Sequence, residues 1–124
     1  IPSTKSARRN CSAEILTAIF GEDVRSVRCW QIGGTATALF DCAGIGVQVS
    51  LADCWAYACT LYTPDALLHR RISLNGLYEN GLKAFYQMAA GLRPAPCAHS
   101  LVQPVRLLSA MVQSLKAGGE EIAL

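Results

Sequence analysis

The sequence is short of charge. Only 16% of its 124 residues are Asp, Glu, Lys or Arg, against about a quarter in ordinary globular chains. The net charge of +2 builds no basic surface for nucleic acid. The one basic cluster, Lys5, Arg8 and Arg9, reads as part of a solvated arm over residues 1–9. No apolar run approaches the ~20 residues needed to span a bilayer, so no transmembrane segment is expected. No apolar stretch follows the polar start in the manner of a signal peptide, and the chain reads as a mature form or a domain of a longer one. There is no Cys-x-x-Cys pair. Cys97-x-His99 is the nearest approach to a metal motif, and no metal ligands are assigned. The glycine pairs 33–34 and 118–119 are not followed by lysine and a hydroxyl residue, which excludes a phosphate loop. The carboxylates are scattered over turns and helix starts, with no pair placed for acid–base work. No cofactor is implied.

What the sequence has is apolar content, 52%, and six cysteines: Cys11, Cys29, Cys42, Cys54, Cys59 and Cys97. An even cysteine count in a low-charge chain points to an oxidising compartment. At least two disulfides among the six are expected, in a secreted or periplasmic protein. The alternative setting is a cytoplasmic domain of a larger viral or effector polyprotein.

The fold class read from the chain is α+β. A helix is predicted over about 11–20, with Cys11, Ile15, Leu16 and Ile19 inward and Gly21 as its stop. Val24–Ile32, Thr35–Asp41 and Ile45–Leu51 read as strands separated by Gly33-Gly34 and Ala43-Gly44. Together they form a three-stranded antiparallel meander. From Asp53 onward the chain reads as several helices packed on that sheet. Asp53 caps the first, Thr63-Pro64-Asp65 starts another, and Ser73 caps a third with the stripe Leu74, Leu77, Tyr78, Leu82, Phe85 and Ala89. Ser100 is expected to cap the last. Its seam is Leu101, Val105, Leu108, Val112 and Leu115, with Pro104 inside the first turn. Residues 10–119 form one domain, and 120–124 a frayed tail.

The junction of strand and helix at Asp53 is where the sequence hints at chemistry. Cys54 would open a helix, where the positive end of the dipole favours thiolate. If 54–61 were helical, Cys54 and Cys59 would point about 140° apart, roughly 7.5 Å along the axis, beyond the reach of a disulfide. The run Cys54-Trp55-Ala56-Tyr57 resembles the Cys-Trp-Ala-aromatic sequence around the nucleophile of papain-like cysteine proteases, among them viral leader autoproteases. That resemblance implies Cys54 as nucleophile and His99 as base. It covers about six residues. Gln48 stands six before Cys54, no Asn or Asp follows His99, and the residues after His99 read as helix where the family is β-rich.

The leading expectation is a binding domain, not an enzyme. Trp30, Trp55, Tyr57, Tyr62, Tyr78 and Tyr86 are enough aromatics for a contact patch. The partner is expected to be a protein, with room for an oligomer. The cysteine protease is the alternative.

Overall fold

The computed structural model describes residues 13–52 and 57–124. The fold is α+β, and its described residues group into two compact units: 13–52 with 96–124, and 57–95.

The first unit is built on the meander. Strands β1 (Val24–Ile32), β2 (Thr35–Cys42) and β3 (Ile45–Leu51) pair antiparallel in order. Gly33-Gly34 forms the first two-residue turn, with Gly33 at φ 58. Ala43-Gly44 forms the second, with both residues at positive φ and the Gly44 N–H donating to Asp41 Oδ1 at 2.7 Å. Two successive positive φ values match the right-handed twist of the flanking strands. Between Val24 and Ser26 the register slips, leaving Arg25 as the extra residue of a bulge. The bulge brings Val24 and Val27 to the same side, so both are buried, although their spacing breaks the alternation.

One face of the sheet is the core face. Phe40 sits opposite Val27 and Val47, and Ala38 opposite Cys29 and Val49. Over this face lie the helical residues 13–20, here α1, which contribute Ala13 and Leu16, and a long C-terminal helix, which contributes Leu107, Ala110 and Met111. Spacing turns Ile15 and Ile19 inward; in the structure Ile19 is exposed, and Ala13, Leu16 and part of Phe20 form the buried line. Gly21 ends α1 as expected, its N–H on the Thr17 carbonyl at 2.8 Å.

In the second unit the expected run of helices is overturned. Residues 57–72 form a hairpin, β4 (Tyr57–Tyr62) and β5 (Leu67–Ile72). Thr63-Pro64-Asp65 has the residues of a helix start, but it is the turn. The Thr63 N–H bonds the Ala66 carbonyl at 2.9 Å, and the Thr63 hydroxyl takes the Ala66 N–H at 3.0 Å. Thr, Pro and Asp serve a turn as readily as a helix cap, and the tyrosines, threonine and isoleucine flanking it favour strand. Helix α2 (Leu77–Ala89) follows, with Gly76 at its N-cap. Ser73, the expected cap, instead accepts the Asn75 N–H at 3.2 Å. Gly91, at φ 71, ends α2, and the Leu92 N–H reaches back to the Gln87 carbonyl at 2.8 Å.

Helix α3 (Ala98–Lys116) departs from expectation three times. Its N-cap is Cys97, not Ser100. Pro104 therefore lies beyond the first turn, inside the helix. The buried line is Gln103, Leu107, Ala110, Met111 and Ser114, one residue ahead of the expected seam and so about 100° around the axis. The reason is polar. The Ser114 hydroxyl accepts the Cys29 N–H at 2.8 Å and donates to the Glu120 carbonyl at 2.6 Å. Losing that hydroxyl would remove a buried hydrogen bond between helix and strand, a cost of about 0.5–1.5 kcal/mol.

The expected frayed tail is a strand. β6 (Ile122–Ala123) pairs with Val27 and Ser26, and the Leu124 N–H bonds the Arg25 carbonyl at 2.9 Å. The sheet order is β3-β2-β1-β6.

The expected disulfides are absent among the described residues, where Cys42, Cys59 and Cys97 are free thiols. Cys29 lies opposite Ala38, four positions along β2 from Cys42. That is roughly 13 Å of strand, about twice what a disulfide spans. The exclusion of a Cys54–Cys59 bridge rests on a helix that residues 57–61 do not form. Cys11 and Cys54 lie outside the described residues, as do the arm at 1–9 and the helix start after Asp53.

Candidate functional site

Three places in the described residues offer chemistry or contact. The first is the start of α3. The Cys97 sulfur accepts the Ser100 N–H at 3.4 Å, while the Ser100 hydroxyl donates to the Cys97 carbonyl at 2.8 Å. Sulfur thus takes the place of the usual capping hydroxyl or carboxylate, while the Ser100 hydroxyl bonds the Cys97 carbonyl and not its N–H, so only half of a capping box is made. The hydrogen bond from the Ser100 N–H, followed by that residue's side chain, holds the Cys97 thiol below its ordinary value of 9.0. Cys97 is solvent-exposed. Burial, with the Asp41 charge second, pushes the Cys42 thiol up.

Cys97 is therefore expected to alkylate faster than Cys42, whose thiol is pushed up by burial. The advantage of Cys97 holds below pH 9.0, its ordinary value, where a lowered pKa leaves more thiolate. It fades as pH rises past that point, where the lowering no longer changes how much of Cys97 is thiolate. Ser100→Pro, which deletes the donating N–H in a first turn that tolerates proline, removes the advantage. Mass-resolved iodoacetamide labelling at about pH 7 and about pH 9.5, on either side of the ordinary thiol range, checks both statements.

Of the two residues the protease resemblance implies, Cys54 lies outside the described residues, with Trp55. His99 stands in the first turn of α3, exposed, its Nε2 3.1 Å from Glu22 Oε1. The sequence offers no Asn or Asp after His99 to orient the ring. The group beside the ring is the Glu22 carboxylate, from the loop after α1. The other histidine, His69, meets Thr60 Oγ1 through Nδ1 at 2.8 Å on the exposed hairpin. Among the described residues no three His, Cys, Asp or Glu side chains gather as metal ligands.

The second place is the outer face of the sheet. A shallow depression of about 240 Å³ is lined by Ser26, Arg28, Leu39, Asp41, Gly46 and Glu121, among others. Glu121 accepts the Ser26 hydroxyl at 2.6 Å and pairs with Arg28 at 3.1 Å; these contacts, the hydroxyl first, hold its carboxyl below the usual range. A carboxyl so lowered stabilises the fold above its unfolded pKa and loses that effect as pH falls through the folded value. Being exposed, it contributes little.

The third place is α2. None of its residues is buried. Leu77 is 53% exposed, Tyr78 87%, Leu82 71%, Phe85 67% and Tyr86 69%. On the hairpin, Leu61, Tyr62, Leu67 and Leu68 are exposed as well. Of the six aromatics expected to form a patch, Tyr62, Tyr78 and Tyr86 are exposed in this unit and Tyr57 is half-buried. Trp30 stands exposed on the outer side of β1, in the other unit. Leu77, Leu82 and Phe85 are core-facing by their spacing, and the structure leaves them open. Helical spacing reports an apolar stripe and is silent on what covers it.

Comparison with known proteins finds no family model, no characterised protein and no solved structure that matches this chain. Among the described residues no helix is long and apolar enough to cross a membrane.

Proposed function

We propose that the protein acts by binding another protein through the apolar face of α2. The observation that carries this is that a thirteen-residue helix with a strongly apolar stripe buries none of its residues. Helices of that length are marginal alone in water, and contiguous exposed apolar surface of this kind marks an interaction site. Tyr78, Phe85 and Tyr86 are the residue types that anchor interfaces. The partner fitted to it presents an apolar groove that accepts one helix face.

A photo-crosslinking residue placed at Tyr86 is expected to yield one discrete protein adduct in the native host. The adduct should disappear in Phe85→Asp and be absent when the crosslinker is moved to Lys116. The same set of adducts from both positions, or none from Tyr86, overturns the proposal.

One observation favours the second reading, a papain-like cysteine protease. The Glu22 carboxylate on His99 is the kind of partner that orients a general base. Under that reading Cys54 is the nucleophile. Peptide hydrolysis that is abolished by both Cys54→Ala and His99→Ala would establish it and displace binding as the primary role.

A further inference from the structure

We infer that the free edge of β3 is a self-association site, where two copies of the chain pair antiparallel across a two-fold axis at Gln48. Among the described residues β3 is the outermost strand of its sheet, bonded to β2 on one side and to no strand on the other. An edge strand presents backbone N–H and C=O groups ready to pair, and proteins guard such edges with charge, proline or bulges. Ile45–Leu51 has none of these. Its sequence, IGVQVSL, contains no charged residue and no proline, and its register with β2 runs unbroken from Ile45 to Leu51.

The partner is read from the strand itself, which is a near-palindrome in side-chain character about Gln48. Pairing two copies around that residue sets Val47 opposite Val49, Ile45 opposite Leu51, Gly46 opposite Ser50, and Gln48 opposite its own counterpart. Apolar residues meet apolar on one face and small neutral ones meet on the other, so the in–out alternation is kept across the junction. The match also answers a deficit. Val47, Val49 and Leu51 face the core yet are only partly buried, and Ile45 is 55% exposed. A second β3 alongside would extend the apolar face where the helices leave it thin. Facing Gln48 amides can hydrogen-bond to each other.

Pairing β3 with β3 about a two-fold uses the same edge of both copies, so the assembly closes as a dimer. Among the described residues the opposite margin of the sheet ends in β6, a strand of only two residues beside Ser26 and Val27. This surface belongs to the first unit and does not rest on the α2 reading.

Light scattering on a sizing column is expected to give twice the 13.3 kDa chain mass. Gln48→Lys sets two ammonium groups against each other on the axis and should raise the dimer Kd on the order of tenfold or more at low salt. Thr37→Lys, on the interior strand β2, should leave it unchanged, as should Phe85→Asp on α2. Amide exchange in the unmodified protein supplies a measurement that needs no variant: protection along β3 should rise with protein concentration. A monomer at every concentration overturns the inference. So does a dimer indifferent to Gln48→Lys or dissociated by Phe85→Asp, or β3 protection that ignores concentration.

Discussion

Replacing Phe40 with alanine is expected to lower the unfolding free energy of its unit by about 3–5 kcal/mol. Phe40 is 1% exposed and is the largest of the fully buried side chains. It sits on β2 with strands on both sides, flanked across the sheet by Val27 and Val47. Its ring thus holds the centre of the face that α1 and α3 cover. Strands fixed by paired backbone on both sides cannot move in to fill the space a lost ring leaves, so the cavity persists and its cost adds to the lost burial. Urea denaturation followed by fluorescence measures the change as a lower midpoint at unchanged slope. A loss under about 1 kcal/mol, the typical effect of an ordinary substitution, would mean that Phe40 is not at the centre of the core.

The second large effect separates two orientations of α3. Leu107→Ala is expected to cost about 2–5 kcal/mol, because Leu107 is 0% exposed and packs in the cluster of Phe40, Val27 and Met111. Val105→Ala, at a position 62% exposed, is expected to fall within about 0.5 kcal/mol of the unmodified protein. Hydrophobic spacing alone predicts the reverse, since it places Val105 on the inward seam and Leu107 off it. The same denaturation experiment on the two variants distinguishes them. Equal losses would indicate a helix buried on both sides, and a larger loss at Val105 would place the helix about 100° away from the orientation described.

The candidate sites divide in the same way. Residue type alone marks Tyr62, Tyr78 and Tyr86 as candidates for contact, and the structure shows all three exposed. Their apolar neighbours on α2 are not so marked, because a stripe reads the same whether a sheet or solvent lies beneath it. Cys97 as a cap carries a faint signal. Cys-x-x-Ser has the spacing of a capping box, but cysteine stands outside the usual cap residues. Glu22 beside His99 carries none, since the two come together only when the loop after α1 meets the start of α3.

The meander and its stops are written in the chain itself. Gly33-Gly34, Ala43-Gly44 and Gly21 act through the φ and ψ of one or two adjacent residues, and the alternation in β3 through a period of two. These depend only on near neighbours. The rest waits on contacts made in the folded protein. The hairpin at 57–72 prevails over a helix because Thr63-Pro64-Asp65 fits either form, and only strand pairing between Tyr57 and Ile72 separates them. The rotation of α3 follows from Ser114 meeting Cys29, and the tail becomes β6 by meeting Ser26 and Val27. Both of these join residues far apart in the chain, the first from a strand N–H to a serine hydroxyl and the second between backbone groups that nearly every residue type carries, so no local pattern announces them.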